Sequence, residues 1–352
     1  VGRMAGRLAA LGCADGERVA VLARNSVWLV ALHDAWAPTG AILVPLNSRL
    51  SQAEPEGQRA LVTPRLLLVD SAGAALLDGA SIDAFAEAAA QAPVHAPARI
   101  DPDAVSLILT TSGTSGQPKG VMLTERNLEQ TALNFAACTR IDAGSRFLCE
   151  APMFHVIGLV TNVRPVLRAG GALLVSDGFE PQRTLAWLTD AALAITHYVG
   201  VPQMMEAFRT QPGFDPAPLR RMTALVTGGA PHAIDDILAW LADGVPMVGG
   251  FGMSEAGTVF GMSVELDVIR AKPGSVGIAA PGIGTRVVDG DGRVCAAGEG
   301  TCRSREWTQA EAVARKLDES DQASYSTRRA HYLCEQASEL ATRGDAVGAI
   351  AL

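Results

Sequence analysis

No run of about 18 consecutive apolar residues occurs in the chain, so no membrane-spanning helix is expected. Basic residues are not in excess. Lys and Arg number 29 against 37 Asp and Glu, giving a net charge of −8 and a pI near 5.3. That balance argues against a general nucleic-acid binder and leaves small-molecule chemistry open. The first residues, "VGRMAGRLAALG", have no basic segment followed by an apolar one, so they are not a signal peptide. They read as an amphipathic helix already under way, and the chain is expected to begin inside a domain. Paired cysteines are also missing. Six cysteines stand at 13, 138, 149, 295, 302 and 334, with no CxxC and no zinc-like spacing beside histidines. They are expected to be reduced thiols, mostly buried, in a cytoplasmic protein.

What is present is a globular composition. Of 352 residues, 48% are hydrophobic and 19% charged, enough for a large core and more than one subdomain. Short β-rich runs alternate with helix-like segments. Strands are expected at Arg18–Ala23, Ala41–Leu46, Arg65–Asp70, Val105–Thr111, Gly171–Ser176, Ile195–Gly200, Thr223–Gly229 and Pro246–Gly252. Helices are expected at Ser26–Ala37, Thr124–Cys138, Gln182–Ala191, Pro202–Arg209 and His232–Leu241. Apolar strands alternating with helices imply an α/β fold with mainly parallel sheets covered on both faces. Residues 1–95 read as a first β/α subdomain and 96–272 as a second, with Ala88–Ala98 as a linker between layers. Residues 273–300 read as a partial, barrel-like β region, in which "DGDG" (Asp289–Gly292) signals a hairpin.

The texture breaks near Gly300. From Thr301 onward there is no proline or phenylalanine, glycine occurs only at 344 and 348, and two of the three tyrosines fall here. Residues 301–352 are expected to be an atypical, polar helical tail, of a kind that a frame shift or fusion would produce.

The stretch "TTSGTSGQPKG", residues 110–120, follows the apolar run Val105–Leu109. Clustered Gly, Ser and Thr after a buried strand expose backbone N–H groups and hydroxyls together, a combination that binds phosphate oxygens. Lys119 adds a positive charge. Three other motifs fail on spacing. A Walker A loop needs Ser or Thr after the lysine, but Gly120 and Val121 follow Lys119. A nucleophile elbow needs a second glycine at Gln117, and an S-x-x-K pair needs serine at Gly116.

Ile108–Lys119 resembles the ATP-binding signature of the adenylate-forming acyl- and aryl-CoA synthetases. Four further segments resemble that family in order and spacing: residues 19–50, "PMFHVIG" (Pro152–Gly158), "VTGGAP" (Val226–Pro231) and "GFGMSEAG" (Gly250–Gly257). The resemblance spans residues 1 to about 300 and implies the family's large N-terminal domain, truncated at both ends. It implies that Thr111, Ser112, Gly113, Thr114, Ser115 and Gly116 wrap the ATP phosphates, with Lys119 at the end of the loop. Gly229, Ala230 and Pro231 would line the adenine, and Gly250, Phe251, Gly252 and Met253 would complete the nucleotide site. Phe251 stands where a tyrosine usually stacks on the base, and keeps the stacking face. Ser254 keeps the hydroxyl that meets the α-phosphate. Glu255 would help hold Mg²⁺, a hard cation suited to carboxylate and phosphate oxygens. His155 would border the substrate carboxylate, with Ile157 and Gly158 lining the acyl pocket.

Histidine after Phe154, where amino-acid-activating relatives tend to carry aspartate, implies an uncharged acyl or aryl acid. The implied reaction is activation of that acid by ATP, followed by thioester formation with CoA as co-substrate. The alternative is a truncated pseudoenzyme that binds ATP or acid without turnover. The family's T-G-D motif, hinge and small C-terminal domain with its catalytic lysine have no recognisable counterpart after Gly300.

Overall fold

The computed structural model describes residues 1–49, 53–96, 101–112, 118–230, 232–285 and 293–294 of the chain. The loop 113–117, Pro231, the expected hairpin at 289–292 and the tail 301–352 lie outside the described residues.

The first part of the chain runs α1 (Gly2–Ala10), β1 (Arg18–Leu22), α2 (Val27–Asp34), α3 (Trp36–Thr39), β2 (Ile42–Pro45), α4 (Ala53–Val62), β3 (Leu66–Val69), β4 (Ala80–Ser81), α5 (Ile82–Ala90), β5 (Val105–Ser112) and β6 (Pro118–Thr124). These strands form a six-stranded sheet in the order β4-β3-β1-β2-β5-β6. Its pairings are parallel except the β5–β6 hairpin, which is antiparallel. The second part runs α6 (Glu125–Thr139), β7 (Arg146–Cys149), α7 (Arg164–Arg168), β8 (Ala172–Val175), α8 (Pro181–Thr189), β9 (His197–Gly200), α9 (Pro202–Arg209), β10 (Ala224–Thr227), α10 (Ile234–Ala242), β11 (Met247–Met253), β12 (Gly257–Gly261), α11 (Leu266–Ala271) and β13 (Ile278–Ala279). Its sheet has seven strands in the order β13-β12-β11-β10-β9-β7-β8. The five strands from β8 to β11 are parallel, and β12 and β13 add antiparallel at one edge.

The central strands β9 and β10 are buried along their whole length, as expected where helices cover both faces. Helix starts follow the side chains available to take orphan amides. Ser26, Ser81, Thr124 and Glu180 each accept from the first turn of α2, α5, α6 and α8 respectively. One apolar core joins the two sheets. It packs Leu29, Leu107 and Leu123 of the first part against Leu128, Met153 and Leu159 of the second. The second sheet has its own core around the fully buried Trp240, Tyr198 and Phe147.

Three expectations change. Residues 96–272 were expected to form the second subdomain, but Val105–Thr124 within that range pair into the first sheet, with Leu43 of β2 opposite Leu107. An apolar strand beside an open parallel edge joins that edge. The linker expected at Ala88–Ala98 begins inside α5, and its continuation is docked: the His95 amide donates to Gly2 O at 2.9 Å. α1 packs closely on it, since a Cβ on Gly6 would stand 1.9 Å from Pro93 O. After Pro273, β13 extends the second sheet, and no closed barrel forms among the described residues.

Candidate active site

Ligands of open parallel sheets bind beyond the carboxyl ends of the strands. In the second sheet, β9 ends at Gly200, and beside it β10 and β11 run into glycine-rich sequence on the same side. Gly228 and Gly229 follow β10, and Gly249, Gly250 and Gly252 lie within β11. A Cβ on Gly228 would lie 3.2 Å from Gly250 O, and one on Gly252 only 2.4 Å from Gly257 O. The strand ends therefore approach closely and leave a floor without side chains. Gly229 also takes φ +78, which a side chain would strain. A cleft opens over this floor. A flat ring could lie against the backbone there.

The segment bearing His155 forms one wall of the cleft. β7 ends at Cys149, and residues 150–156 turn into a π-helical turn at Ile157–Thr161. Such turns occur often at functional sites. Gly158 permits the fold-back, because a Cβ there would lie 2.1 Å from Pro152 O. Gly158 does not line the cleft, whereas His155 and Ile157 do. The Ile157 amide donates to His155 Nδ1 at 3.4 Å. Asn25, between β1 and α2, grips this segment from the first sheet. Its Nδ2 donates to Ala151 O at 2.9 Å, and its Oδ1 accepts from the Met153 amide at 2.8 Å.

The expected site residues fall into two groups. His155, Gly229, Gly250, Phe251, Gly252, Met253 and Ser254 share the cleft. Glu255 follows Ser254 directly in the turn between β11 and β12. Ala230 is exposed and outside the lining. Thr111 and Lys119 sit opposite each other on the β5–β6 hairpin, and Ser112 opposite Pro118, at the two ends of residues 113–117. Gly113, Thr114, Ser115, Gly116 and Pro231 lie outside the described residues. Phe251 packs against Phe260, with ring centroids 6.1 Å apart.

Helix α6 was not read as part of the site, yet it supplies Phe135, Cys138 and Thr139 to the cleft wall. It also holds the Glu255 turn: Asn127 Nδ2 donates to Glu255 O at 3.1 Å. The available signal was the stripe Asn127, Gln130, Thr131 and Asn134, polar residues at helical spacing.

Chemically, the cleft is apolar with neutral polar groups. Valines 199, 226 and 248 and Met262 lie among Thr139, Thr161 and Ser254, and among the described residues no Asp, Glu, Lys or Arg is in the lining. Burial pushes the Cys138 thiol up, away from the nucleophilic thiolate. Among the described residues no cluster of three His, Cys, Asp or Glu could cage a metal. A lone Glu255 carboxylate fits a cation of the Mg²⁺ type, which takes one or two carboxylates and completes its shell with phosphate and water.

The sequence profile of the AMP-binding enzymes matches residues 1–301. Feruloyl-CoA synthase of an Amycolatopsis species is 33% identical over 263 residues, which cover 73% of this chain and 53% of that protein. The chain thus spans about half the length of that relative. Among solved structures, ATP-bound MatB from Rhodopseudomonas palustris aligns with a TM-score of 0.74 at 27% identity, covering 85% of this chain and 61% of that one. The inhibitor-bound N-terminal domain of FACL13 from Mycobacterium tuberculosis gives a TM-score of 0.77 at 27% identity, over 85% and 78% of the two chains. Two mainly parallel sheets, a glycine floor at their strand ends and a match running through all five motifs agree: the chain belongs to the AMP-binding enzyme family.

Proposed function

We propose that the chain activates a monocarboxylic acid with an uncharged acyl or aryl tail, using ATP, and that CoA is the thiol acceptor. The observation that carries this reading is the cleft itself. It unites His155, the glycine floor and Ser254, and among the described residues no Asp, Glu, Lys or Arg lines it. A second carboxylate or an α-ammonium group on the substrate would find no Lys, Arg, Asp or Glu partner among the described lining residues and would be desolvated at a cost of several kcal/mol.

In the first half-reaction a substrate carboxylate oxygen attacks the α-phosphorus. The bond to the bridging oxygen breaks, and pyrophosphate leaves with the electron pair. The protein's part is positioning and charge stabilisation. Thr111, Ser112 and Lys119 of the β5–β6 hairpin would serve the phosphates. The Ser254 hydroxyl donates to the α-phosphate. Glu255 and the phosphates would hold Mg²⁺, which neutralises phosphate charge when bound. His155 borders the carboxylate. In the second half-reaction the CoA sulfur attacks the acyl carbon, AMP leaves and the thiol proton passes to solvent. No protein nucleophile is required.

The test is ATP–pyrophosphate exchange with ferulate, other aryl acids and fatty acids of graded length, alongside MgATP binding. Exchange with one of these acids, and none with dicarboxylic or amino acids, is expected. Lys119→Ala should lower the exchange rate on the order of 10²-fold, as loss of one preorganised donor does. Glu255→Gln should raise the Mg²⁺ requirement. Binding without exchange would favour a nucleotide- and acid-binding module, and no MgATP binding would overturn both readings.

A further inference from the structure

The polar face of α6 does more than cover the sheet. Asn127, Gln130, Thr131 and Asn134 stand at i, i+3, i+4 and i+7, one stripe along the helix. Asn127 Nδ2 donates to Glu255 O, and Asn134 Nδ2 donates to Thr258 O, each at 3.1 Å. Gln130 Nε2 donates to Asn134 Oδ1 at 2.8 Å and to Pro281 O at 2.9 Å. That contact fixes which way the Asn134 amide points. Thr131 fits against Gly257, where an added Cβ would lie 2.0 Å from Thr131 Oγ1. Asn134 is completely buried. Burying an amide is unfavourable unless its hydrogen bonds are made, and here Asn134 makes them to Gln130 and to Thr258 O, in β12 just past the turn that carries Ser254 and Glu255.

The same helix begins where β6 ends, at Thr124. β6 carries Lys119 opposite Thr111. One rigid element therefore joins the phosphate-loop hairpin to the Ser254–Glu255 turn. Resting on the proposed function, we infer that Asn127 and Asn134 are positioning residues. Asn127 holds the backbone of this turn and Asn134 the start of β12 that follows it, so that Glu255 reaches its cation without first having to order the loop. Neither residue touches the reacting atoms. Their contribution is preorganisation, which spares the site the entropy of fixing the turn at each binding event.

Asn127→Asp in the full chain is the test. It is isosteric, and replaces the donor with an acceptor facing Glu255 O. Asn127 is the third residue of α6, where an acidic side chain suits the helix N-terminus, so the variant should fold. Glu129→Gln, on the same helix but paired outward with Arg168, is the control. Amide hydrogen exchange of residues 253–258 is measured without ligand. ATP binding is then measured by calorimetry with Mg²⁺ and with chelator. For one lost hydrogen bond, exchange of the turn should rise about fivefold in Asn127→Asp, and the half-saturating Mg²⁺ should rise about threefold to tenfold. ATP binding in chelator and all properties of Glu129→Gln should stay as in the parent chain. Asn134→Asp should repeat the pattern at Thr258.

Unchanged exchange would overturn the inference. So would faster exchange with unchanged Mg²⁺ dependence, since the contact would then be merely structural. A parent chain that binds no MgATP would instead overturn the proposed function, and the metal part of this inference with it. The two failures are therefore distinct.

Discussion

His33 shows how far burial can shift one residue's chemistry. It is 4% exposed on α2, with Arg164 Nη1 3.4 Å from its Nε2 and Glu125 and Asp34 nearby. Burial first, and then the Arg164 charge, push its pKa from 6.5 down to about 4. Arg164 can only donate, so Nε2 accepts and the ring is neutral when folded. The unfolded chain takes up a proton near pH 6.5 that the folded chain takes up only near 4. Stability is therefore full above about pH 6.5 and falls by about 2 to 3 kcal/mol as the pH drops toward 4. Asp34, whose carboxyl is raised by burial, acts in the opposite sense at the acid end. The comparison thus belongs above about pH 5. Thermal denaturation at about pH 7 and about pH 5 should show a clear loss in the parent chain and a much smaller one in His33→Gln. At this scale the sequence was most legible where motif residues carry unusual chemistry in a fixed order. His155, Gly229, Phe251 and Ser254 do converge on one cleft. Asn25 and Asn127 were not legible, because an asparagine bonded to a distant backbone looks, in sequence, like one bonded to water.

Among elements, α6 and the β11–β12 turn form the most constrained contact. Gly257 has φ +65 and meets Thr131 at once, so both backbone and side-chain space forbid a Cβ. Gly257→Ala should destabilise by about 3 kcal/mol, from left-handed strain of about 1 to 2 and overpacking of about 1 to 3. Chemical denaturation measures this. Thr131→Gly combined with Gly257→Ala should recover the overpacking part and leave the strain, whereas simple additivity of the two costs would show that the contact is not shared. Elements were legible where an apolar run or helical spacing is uninterrupted by glycine or proline. Expected strands at Arg18–Ala23 and Ala41–Leu46 appear as β1 and β2, and the helix at Pro202–Arg209 as α9. Other elements were hidden by local punctuation. β6 opens with Pro118 and Gly120, and β12 begins and ends in glycine, so both read as loops. α4 contains Pro55 and Gly57, which individually oppose a helix. Tertiary packing overrides these preferences, and a single sequence does not display it.

For the molecule as a whole, the question is what fixes the two sheets relative to one another, since the cleft takes the His155 segment from between them. Apolar packing across the shared core is one part. The other is a buried polar knot. Glu125, at the start of α6, forms an ion pair with Arg164 of α7 and accepts from Ser106 of β5, while Arg164 also meets His33 of α2. Burial raises the Glu125 carboxyl, but the guanidinium and the Ser106 hydroxyl outweigh it and hold it below the usual range. A pair of this kind stabilises less than its geometry suggests, because both groups were desolvated to make it. Its removal in halves is a different matter. Arg164→Met leaves Glu125 buried beside a neutral histidine, and should cost about 3 kcal/mol in urea denaturation. Adding Glu125→Gln to Arg164→Met removes the stranded charge and should return at least half of that loss. If the double variant is as unstable as the sum of the two singles, the knot is not a coupled unit, and apolar packing alone sets the angle at which the His155 segment enters the cleft.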